Sequence, residues 1–448
     1  MTTGWRPTRA LGRALAVGLA VVAVGVASGR GDLVVVAVPL LGAAIWSVVT
    51  RPRTLPRVAA SLDRLTVHEG ESFTWRLDVE PVPGLREVVG HLPSDRWSRS
   101  TPAHGHVAAS SDGVPRSEMV PVGVRLDARR WGQRRVGPAQ VAAFGDLGGM
   151  VWTDAAPRQD VVTAIPRPGH FSSRAGLPHP SGLVGAHRSN RQGSGSELAD
   201  LRPFRTGDRL RRINWPVSLR TGTLHVTTTH ADQDAEVRLV VDALRDVGVP
   251  DPEAGRGSSL DIAVDAAGAL TAHYLSTGDR VGLSVLGGTL LEVPAVGGHH
   301  QLTRVLTALG RTAPSGGSLR EERALGAQLR RAVPPGAVVV ILSALVSAEP
   351  LAHAVRLARS GHVVIVVDTL PPHLATPDAA PEDVTAATGI EDRRTASLAW
   401  RLRLLERERE ARRCAEAGVP VVPWGADGAI DTVLRGIARR PRTAGAAR

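Results

Sequence analysis

The sequence predicts a three-part chain: an N-terminal transmembrane helical hairpin, a small β-sandwich, and an α/β domain on a mainly parallel sheet. Three observations lead there. Two uncharged apolar runs, 14–29 and 33–50, stand near the start, and each approaches the roughly 20 residues that a membrane helix needs. From residue 57 to about 167 short apolar runs show period-two alternation, as half-buried strands require. From residue 235 onward short apolar runs alternate with helical stretches, which implies parallel strands covered on both faces.

Composition sets the frame. A chain of 448 residues is long enough for two or three domains. Aromatic residues are only 3%, so the cores must be built from Val, Leu, Ile and Ala. There is no Lys, and all 54 basic residues are Arg. With abundant Ala, Gly, Pro and Val, this is the imprint of a GC-rich coding sequence. The net charge of +11 therefore reads first as Arg serving as the default surface residue, and only second as a footprint for phosphates. The single cysteine, Cys414, excludes an intrachain disulfide and is expected to pack, inert, on a late helix.

The hairpin occupies residues 1–55. Only Gly29, Arg30, Gly31 and Asp32 separate the two apolar runs, which fits a tight turn. Arg6, Arg9 and Arg13 precede the first run, and Arg51, Arg53 and Arg57 follow the second. The positive-inside rule places both flanks, and everything after Thr50, in the cytoplasm, giving a two-helix protein of the inner membrane. A cleaved signal peptide ending near Ala27-Ser28 is the rival reading; the second apolar run argues against it.

Residues 56–167 follow as a small antiparallel sandwich of immunoglobulin-like type. Leu62, Leu65, Val67, Phe73, Trp75, Leu77 and Val79 mark its first strands, and Glu69-Gly70-Glu71 and Pro81-Val82-Pro83-Gly84 punctuate them. Its expected role is spacing or protein contact. His104, His106, His170, His179 and His187 are scattered over Gly/Pro/Ser-rich stretches without metal-ligand spacing, and are expected on loops. Residues 168–195 read as a Gly/Ser/Arg-rich linker, flexible or draped on the surface.

The α/β domain is expected over 233–440, with a disordered tail at 441–448. Strands are predicted at Val237–Val241, Arg280–Leu286, Thr289–Val293, Ala337–Leu342, His362–Val367 and Val419–Val422. Helices are predicted at Ser258–Ser276, His300–Leu309, Leu319–Ala332, Pro350–Arg359, Ile390–Ala417 and Ala429–Ala438. In the longest, Leu398, Leu402 and Leu405 form an apolar stripe, and Glu406 to Glu410 alternate in sign, which suits a solvated helix with its own ion pairs. No P-loop, G-x-S-x-G elbow or H-E-x-x-H occurs. Gly297-Gly298-His299-His300 opens a helix and would serve an anion site or an ordinary loop equally well.

The most informative stretch is the segment 196–232. It gathers Arg202, Arg205, Arg209, Arg211, Arg212 and Arg220 around the turn Gly207-Asp208 and Trp215. Together with Gly195, Glu197, Leu201, Phe204, Ile213 and Leu224, these residues resemble the signature of the bacterial family called domain of unknown function 58. Asn214 stands where that family has Asp, and Pro216 where a basic residue is common. Two roles for the cluster stay open. Asp208, Arg212 and Trp215 form a buried knot that docks the neighbouring modules, a costly arrangement unless every hydrogen bond is made; alternatively the arginines line an exposed basic groove for an acidic protein tail, phosphates or lipid headgroups.

The resemblance implies a von Willebrand factor A-like fold for the C-terminal domain. Such domains often hold Mg²⁺ at the carboxyl ends of their strands through a D-x-S-x-S loop and later oxygen ligands. Here Asp242 is followed by Leu244 in place of the first Ser, Asp246 in place of the second, and Ser343 by Ala344 in place of an Asp. The site at Asp242, Asp246 and Ser343 is therefore read as degenerate, with no metal, no cofactor and no catalytic residue expected, and Asp242 kept as a cap. The resemblance further implies a MoxR-type AAA+ ATPase as companion, and sometimes a transglutaminase-like membrane protein. The expected function is a membrane-anchored, non-enzymatic scaffold or adaptor working with that ATPase in protein maturation or envelope-related assembly. The lipid bilayer is a partner through the hairpin, and nucleic acid is not expected. The alternative is a basic, membrane-proximal binder of nucleic acid or anionic lipid through the Arg-rich segment.

Overall fold

The computed structural model describes residues 4–171 apart from 94, 116–117 and 157–158; residues 192–205 and 213–230; residues 236–316 apart from 252 and 288–290; and residues 333–433 apart from 335, 426–429 and 431. The chain divides into two compact units, 1–165 and 166–448.

The first unit begins with a two-residue strand β1 (Arg6–Pro7) and two helices, α1 (Arg9–Ala27) and α2 (Gly31–Val49). Thr8 caps α1, its side chain accepting from the Leu11 amide at 3.2 Å. Each helix has 19 residues, about 28 Å at the α-helical rise, and both are long and apolar enough to cross a membrane. Glycines let them approach closely. A Cβ on Gly25 would lie 3.1 Å from the Arg30 carbonyl and from Val34, and one on Gly18 would lie 2.7 Å from Leu41.

Further strands follow: β2 (Val58–Leu62), β3 (Thr66–His68), β4 (Ser72–Val79), β5 (Leu85–His91), β6 (Ser98–Thr101), β7 (His106–Ser110), β8 (Val120–Ala128), β9 (Gly132–Val136), β10 (Ala139–Gly145), β11 (Met150–Ala156) and β12 (Asp160–Ile165). They form three sheets, ordered β1-β11-β10-β5-β7, β2-β4-β8-β6 and β3-β12-β9. Strict alternation builds the core: along β8 the residues Val120, Val122, Val124 and Leu126 are buried and those between are exposed. They share one apolar cluster with Phe73, Trp75 and Leu77 of β4 and Val88, Val141 and Ala143 of the five-stranded sheet. The pairing departs from a wholly antiparallel expectation, because β3 and β12 run parallel. His106 starts a strand rather than a loop, and its ring stacks on His91 across the ladder at 4.1 Å.

The helices and this β module are joined at more than the covalent link. Strand β1 pairs with β11, Arg6 opposite Val151. The Thr8 amide and hydroxyl donate to the Gly149 and Gly148 carbonyls, each at 2.9 Å, and the Ser47 hydroxyl donates to the Asp146 carbonyl at 3.2 Å. Leu11, Ala44 and Met150 form a small shared core. Position 149 must be glycine, since a Cβ there would collide with that of Ser47.

The second unit opens with residues that the sequence assigned to a linker, flexible or draped on the surface, and the described ones are draped. Pro168 packs on Gly268, Gly169 on Asp265, and the Phe171 ring lies 5.2 Å from that of His273 and 5.8 Å from Trp424. The remainder of the expected linker up to residue 191, including His179 and His187, lies outside the described residues. So do the expected helix at 319–332, most of that at 429–438, and the tail at 441–448.

The signature folds as a hairpin, β13 (Gln192–Pro203) against β14 (His225–His230), with a short helix α3 (Trp215–Thr221) in its connection. The main body then alternates: β15 (Glu236–Asp242), α4 (Ser259–Ser276), β16 (Arg280–Leu286), β17 (Leu291–Val296), α5 (His299–Leu309), β18 (Val338–Ser343), α6 (Glu349–Arg359), β19 (Val363–Asp368), α7 (Pro381–Thr388), α8 (Arg393–Glu416) and β20 (Val421–Pro423). The sheet order is β17-β16-β15-β18-β19-β20, parallel throughout except for β17. The central strands β15 and β18 are buried almost end to end, as parallel strands covered on both faces must be. Helix α4 starts with a capping box between Ser258 and Asp261.

Candidate functional site

In an open parallel sheet, ligands bind beyond the carboxyl ends of the strands, where the strand order reverses. In this protein that point falls between β15 and β18, and the residues there are bonded to one another. Asp242 ends β15 and is 8% exposed. Its Oδ2 accepts from the Ser343 hydroxyl at 2.6 Å, and its Oδ1 from the Leu244 amide at 3.1 Å. Ser343, fully buried, accepts in turn from the Leu345 amide at 3.0 Å. The expected degenerate set is therefore brought together only in part, because Asp246 turns aside. Its Oδ1 accepts from the Leu260 amide at 3.0 Å and the Ser259 hydroxyl at 3.2 Å, holding the first turn of α4. Among the described residues no three His, Cys, Asp or Glu converge on a point that would hold a metal ion.

A third carboxylate completes the edge, and nothing in its sequence setting singles it out. Asp368 ends β19 and accepts from the Leu370 amide at 3.0 Å. It also pairs with Arg407 of α8, whose Nε donates to the Ala344 carbonyl at 3.1 Å. Arg403, one turn earlier, donates to the Val346 carbonyl. Around these cations lies a second apolar core made of Val247, Ala344 and Leu370, each just past a strand end, with Val384 of α7 and Ala396 and Trp400 of α8. The Trp400 indole donates to the Leu374 carbonyl at 3.0 Å. Past the ends of β15, β18 and β19 the carboxyl edge is thus covered by the helix pair α7–α8, with two guanidinium groups pinned on the β18 and β19 ends.

The apolar stripe of α8 is not its inward face. Leu398, Leu402 and Leu405 are 71%, 57% and 65% exposed, while Ala396, Trp400 and Cys414 are buried. The inward residues 396, 400, 403, 407 and 414 repeat with the same helical period as the leucines. Periodicity alone cannot choose between the two stripes. What chooses is the sheet edge, whose carbonyls and carboxylate need donors that Arg supplies and Leu does not. Cys414 behaves as expected: it is buried on this helix, and desolvation, followed by the nearby Glu410 charge, pushes its thiol up.

The second candidate site is the signature hairpin. Asn214 caps α3, its side chain accepting from the Val217 amide at 3.2 Å, and Pro216 sits in the first turn. Both departures from the family pattern are thereby explained, since Asn caps as well as Asp and Pro is tolerated at a helix start. Ser218 ties the helix to β14: its hydroxyl donates to the Asn214 carbonyl at 2.7 Å and accepts from the His225 amide at 2.9 Å. Trp215 does not lie in a buried knot. It is 58% exposed, beside Leu219 at 81%, because only one face of α3 meets β14. Arg205 and Arg220 are exposed, and Arg202 is half-buried with a guanidinium N–H on the Pro203 carbonyl at 3.2 Å. Gly207, Asp208, Arg209, Arg211 and Arg212 lie outside the described residues.

Comparison with known proteins agrees with the signature. A family model described as a protein of unknown function, DUF58, matches residues 200–397. The uncharacterized proteins Mb1516 of Mycobacterium bovis and Rv1480 of Mycobacterium tuberculosis are each 33% identical over 196 residues. That is 42% of this chain, and the match spans only 60% of the length of those curated relatives. Among solved structures, the pilus adhesin RrgA of Streptococcus pneumoniae overlaps 64% of this chain and 41% of its own at 10% identity, with a TM-score of 0.18; so slight a likeness bears on neither fold nor function. The family match takes in the signature hairpin from residue 200 onward, the strand ends with Asp242, Ser343 and Asp368, and the first turn of α8. Over this stretch the chain is similar to the DUF58 family, whose function is unknown.

Proposed function

We propose that this protein is a membrane-anchored, non-enzymatic scaffold or adaptor. The observation that carries the reading is the closed carboxyl edge at the central strands β15, β18 and β19. Asp242, Asp246 and Asp368 are each bonded to protein groups, and the α7–α8 core lies over the strand ends. A domain with its ligand edge sealed in this way works through its outer surface. The strand order, with a single antiparallel edge strand, supports a von Willebrand factor A-like reading of the second unit, and the shared core of the first unit's sheets supports an immunoglobulin-like sandwich. The hairpin α1–α2 would hold both in the inner membrane with the body in the cytoplasm.

The partner we propose is an AAA+ ATPase of MoxR type, following the family resemblance, with a transglutaminase-like membrane protein as a further associate. The exposed Trp215 and Leu219, with Arg205 and Arg220, offer the surface best suited to it, since aromatic and Arg anchors dominate protein interfaces. The same residues favour one second reading, an anionic lipid or nucleic acid contact, because exposed Arg beside an aromatic suits phosphates too.

The test is a pull-down of the detergent-solubilised full chain, with and without ATP, comparing wild type with Arg205/Arg220→Glu and Trp215/Leu219→Ser variants. Nucleotide-dependent recovery of an AAA+ ATPase, weakened in both variants, is the expected outcome. Recovery of nucleic acid or lipid alone, falling steeply with salt, would move the reading to the second.

A further inference from the structure

The turn that joins β10 to β11 combines features that the fold itself does not use. Leu147 stands at its tip with φ +55°, one of three described non-glycine residues in the left-handed region, a conformation unfavourable for leucine. Its side chain is 68% exposed, so the strain is not offset by core packing. The flanking residues hold it there. The Asp146 carboxylate pairs with Arg86, the Asp146 carbonyl accepts from Ser47, and the Gly148 and Gly149 carbonyls accept from Thr8. An exposed apolar side chain held in a strained backbone by fixed neighbours points to a role outside the core.

Its place in the molecule says what that role is. Ser47 lies two residues before the end of α2 and Leu11 two residues after the start of α1, each about 3 Å along its helix. The turn therefore touches the hairpin just inside both helix ends, at the level where a spanning helix passes from headgroups to hydrocarbon. Trp46, 57% exposed, and Trp5 stand at the same level, as do Arg9, Arg13 and Arg51. Tryptophan and arginine at a helix base are the residues that settle among headgroups. Pro52, next to the base of α2, also lies against the glycine of a second turn, Gly84.

We propose that the 145–149 turn is a second membrane contact, in which Leu147 enters the headgroup region beside the hairpin base and seats the β module against the bilayer. The inference rests on the reading of α1–α2 as a membrane anchor. The partner is the lipid surface because the turn is continuous with helices apolar enough to lie in it.

The experiment is site-directed spin labelling of the full chain in phosphatidylethanolamine and phosphatidylglycerol liposomes, on a Cys414→Ser background. Single cysteines at Val36, Leu147 and Leu65 are compared for collision with a water-soluble nickel chelate. Val36 reports the hairpin interior and Leu65 an exposed position on the β module. The expected result is loss of nickel accessibility at both 36 and 147 but not at 65. Protection at 36 with a label at 147 as accessible as that at 65 overturns the second contact and leaves the anchor standing. Full accessibility at 36 overturns both. A Leu147→Asn protein, whose side chain tolerates the same backbone, serves as a folding control: unchanged protection at 36 shows that the hairpin inserts independently of the turn.

Discussion

At the scale of one residue, Asp242 joins the ends of β15 and β18 through the buried Ser343 hydroxyl. The Asp242 carboxylate accepts from both the Ser343 hydroxyl and the Leu244 amide. Asp242→Ala leaves the buried Ser343 hydroxyl and the Leu244 amide without their acceptor, which costs about 1–3 kcal/mol for each buried group left unsatisfied. Asp242→Asn keeps one acceptor and should cost less. Urea unfolding of the two variants beside wild type checks this; an Asp242→Ala midpoint equal to that of wild type would remove the structural role assigned to the carboxylate. Asp265 makes a second prediction. Burial raises its carboxyl above the usual range, opposed by hydrogen bonds from Trp424 and the Gly169 amide. The folded state therefore holds this proton more tightly than the unfolded chain, and stability falls as pH rises through the ordinary Asp range to the raised value. Asp265→Asn should unfold at a higher temperature than wild type at neutral pH, with the gap closing in acid. A gap independent of pH between about 3 and 7 would sink the assignment.

Helix α8 shows what an element's own pattern can and cannot say. Its existence was legible from length and the absence of Gly and Pro, and its C-terminal end to within a residue; its start lies three residues after the expected Ile390, where Asp392 caps it. Its orientation was not, because two stripes share one period and the choice depends on hydrogen-bond demand at a distant sheet edge. The energetic consequence is a sharp contrast. Trp400→Ala should cost about 3–5 kcal/mol, as for other large buried side chains, whereas Leu402→Gln on the exposed stripe should stay within about 0.5 kcal/mol. Chemical denaturation of both resolves the matter, and a costly Leu402 change would mean that the exposed face is covered after all. Whereas the signature hairpin β13–β14 was not read as strands, the parallel strands of the six-stranded sheet were legible within a residue or two because buried parallel strands read as apolar runs rich in Val, Leu and Ile. Helix α7 was not, since Pro381 to Thr388 carries one buried apolar residue, Val384, and makes no stripe. Strand β1 escaped for a related reason: two residues show no period at all.

On the scale of the whole molecule, the anchor reading puts one demand on topology. A cysteine at Arg30 in the hairpin turn should react with a membrane-impermeant maleimide from outside intact cells, and one at Leu402 only after lysis; the reverse pattern would invert the assigned orientation. The order of the parts was legible in composition, because apolar runs, period-two strands and alternating elements each occupy their own stretch. How the hairpin α1–α2 is joined to the β module was not, since that depends on contacts between residues as far apart as Ser47 and Asp146. Those contacts have a mechanical meaning. A domain hung from a membrane helix by one peptide link swivels like a flag on a cord. Here β1 is stitched into the sheet ahead of α1, and the chain leaves α2 directly into the same module, so the mount has two feet. A load applied to the β module would reach the helices as tilt and torque rather than dissipate in a loose joint.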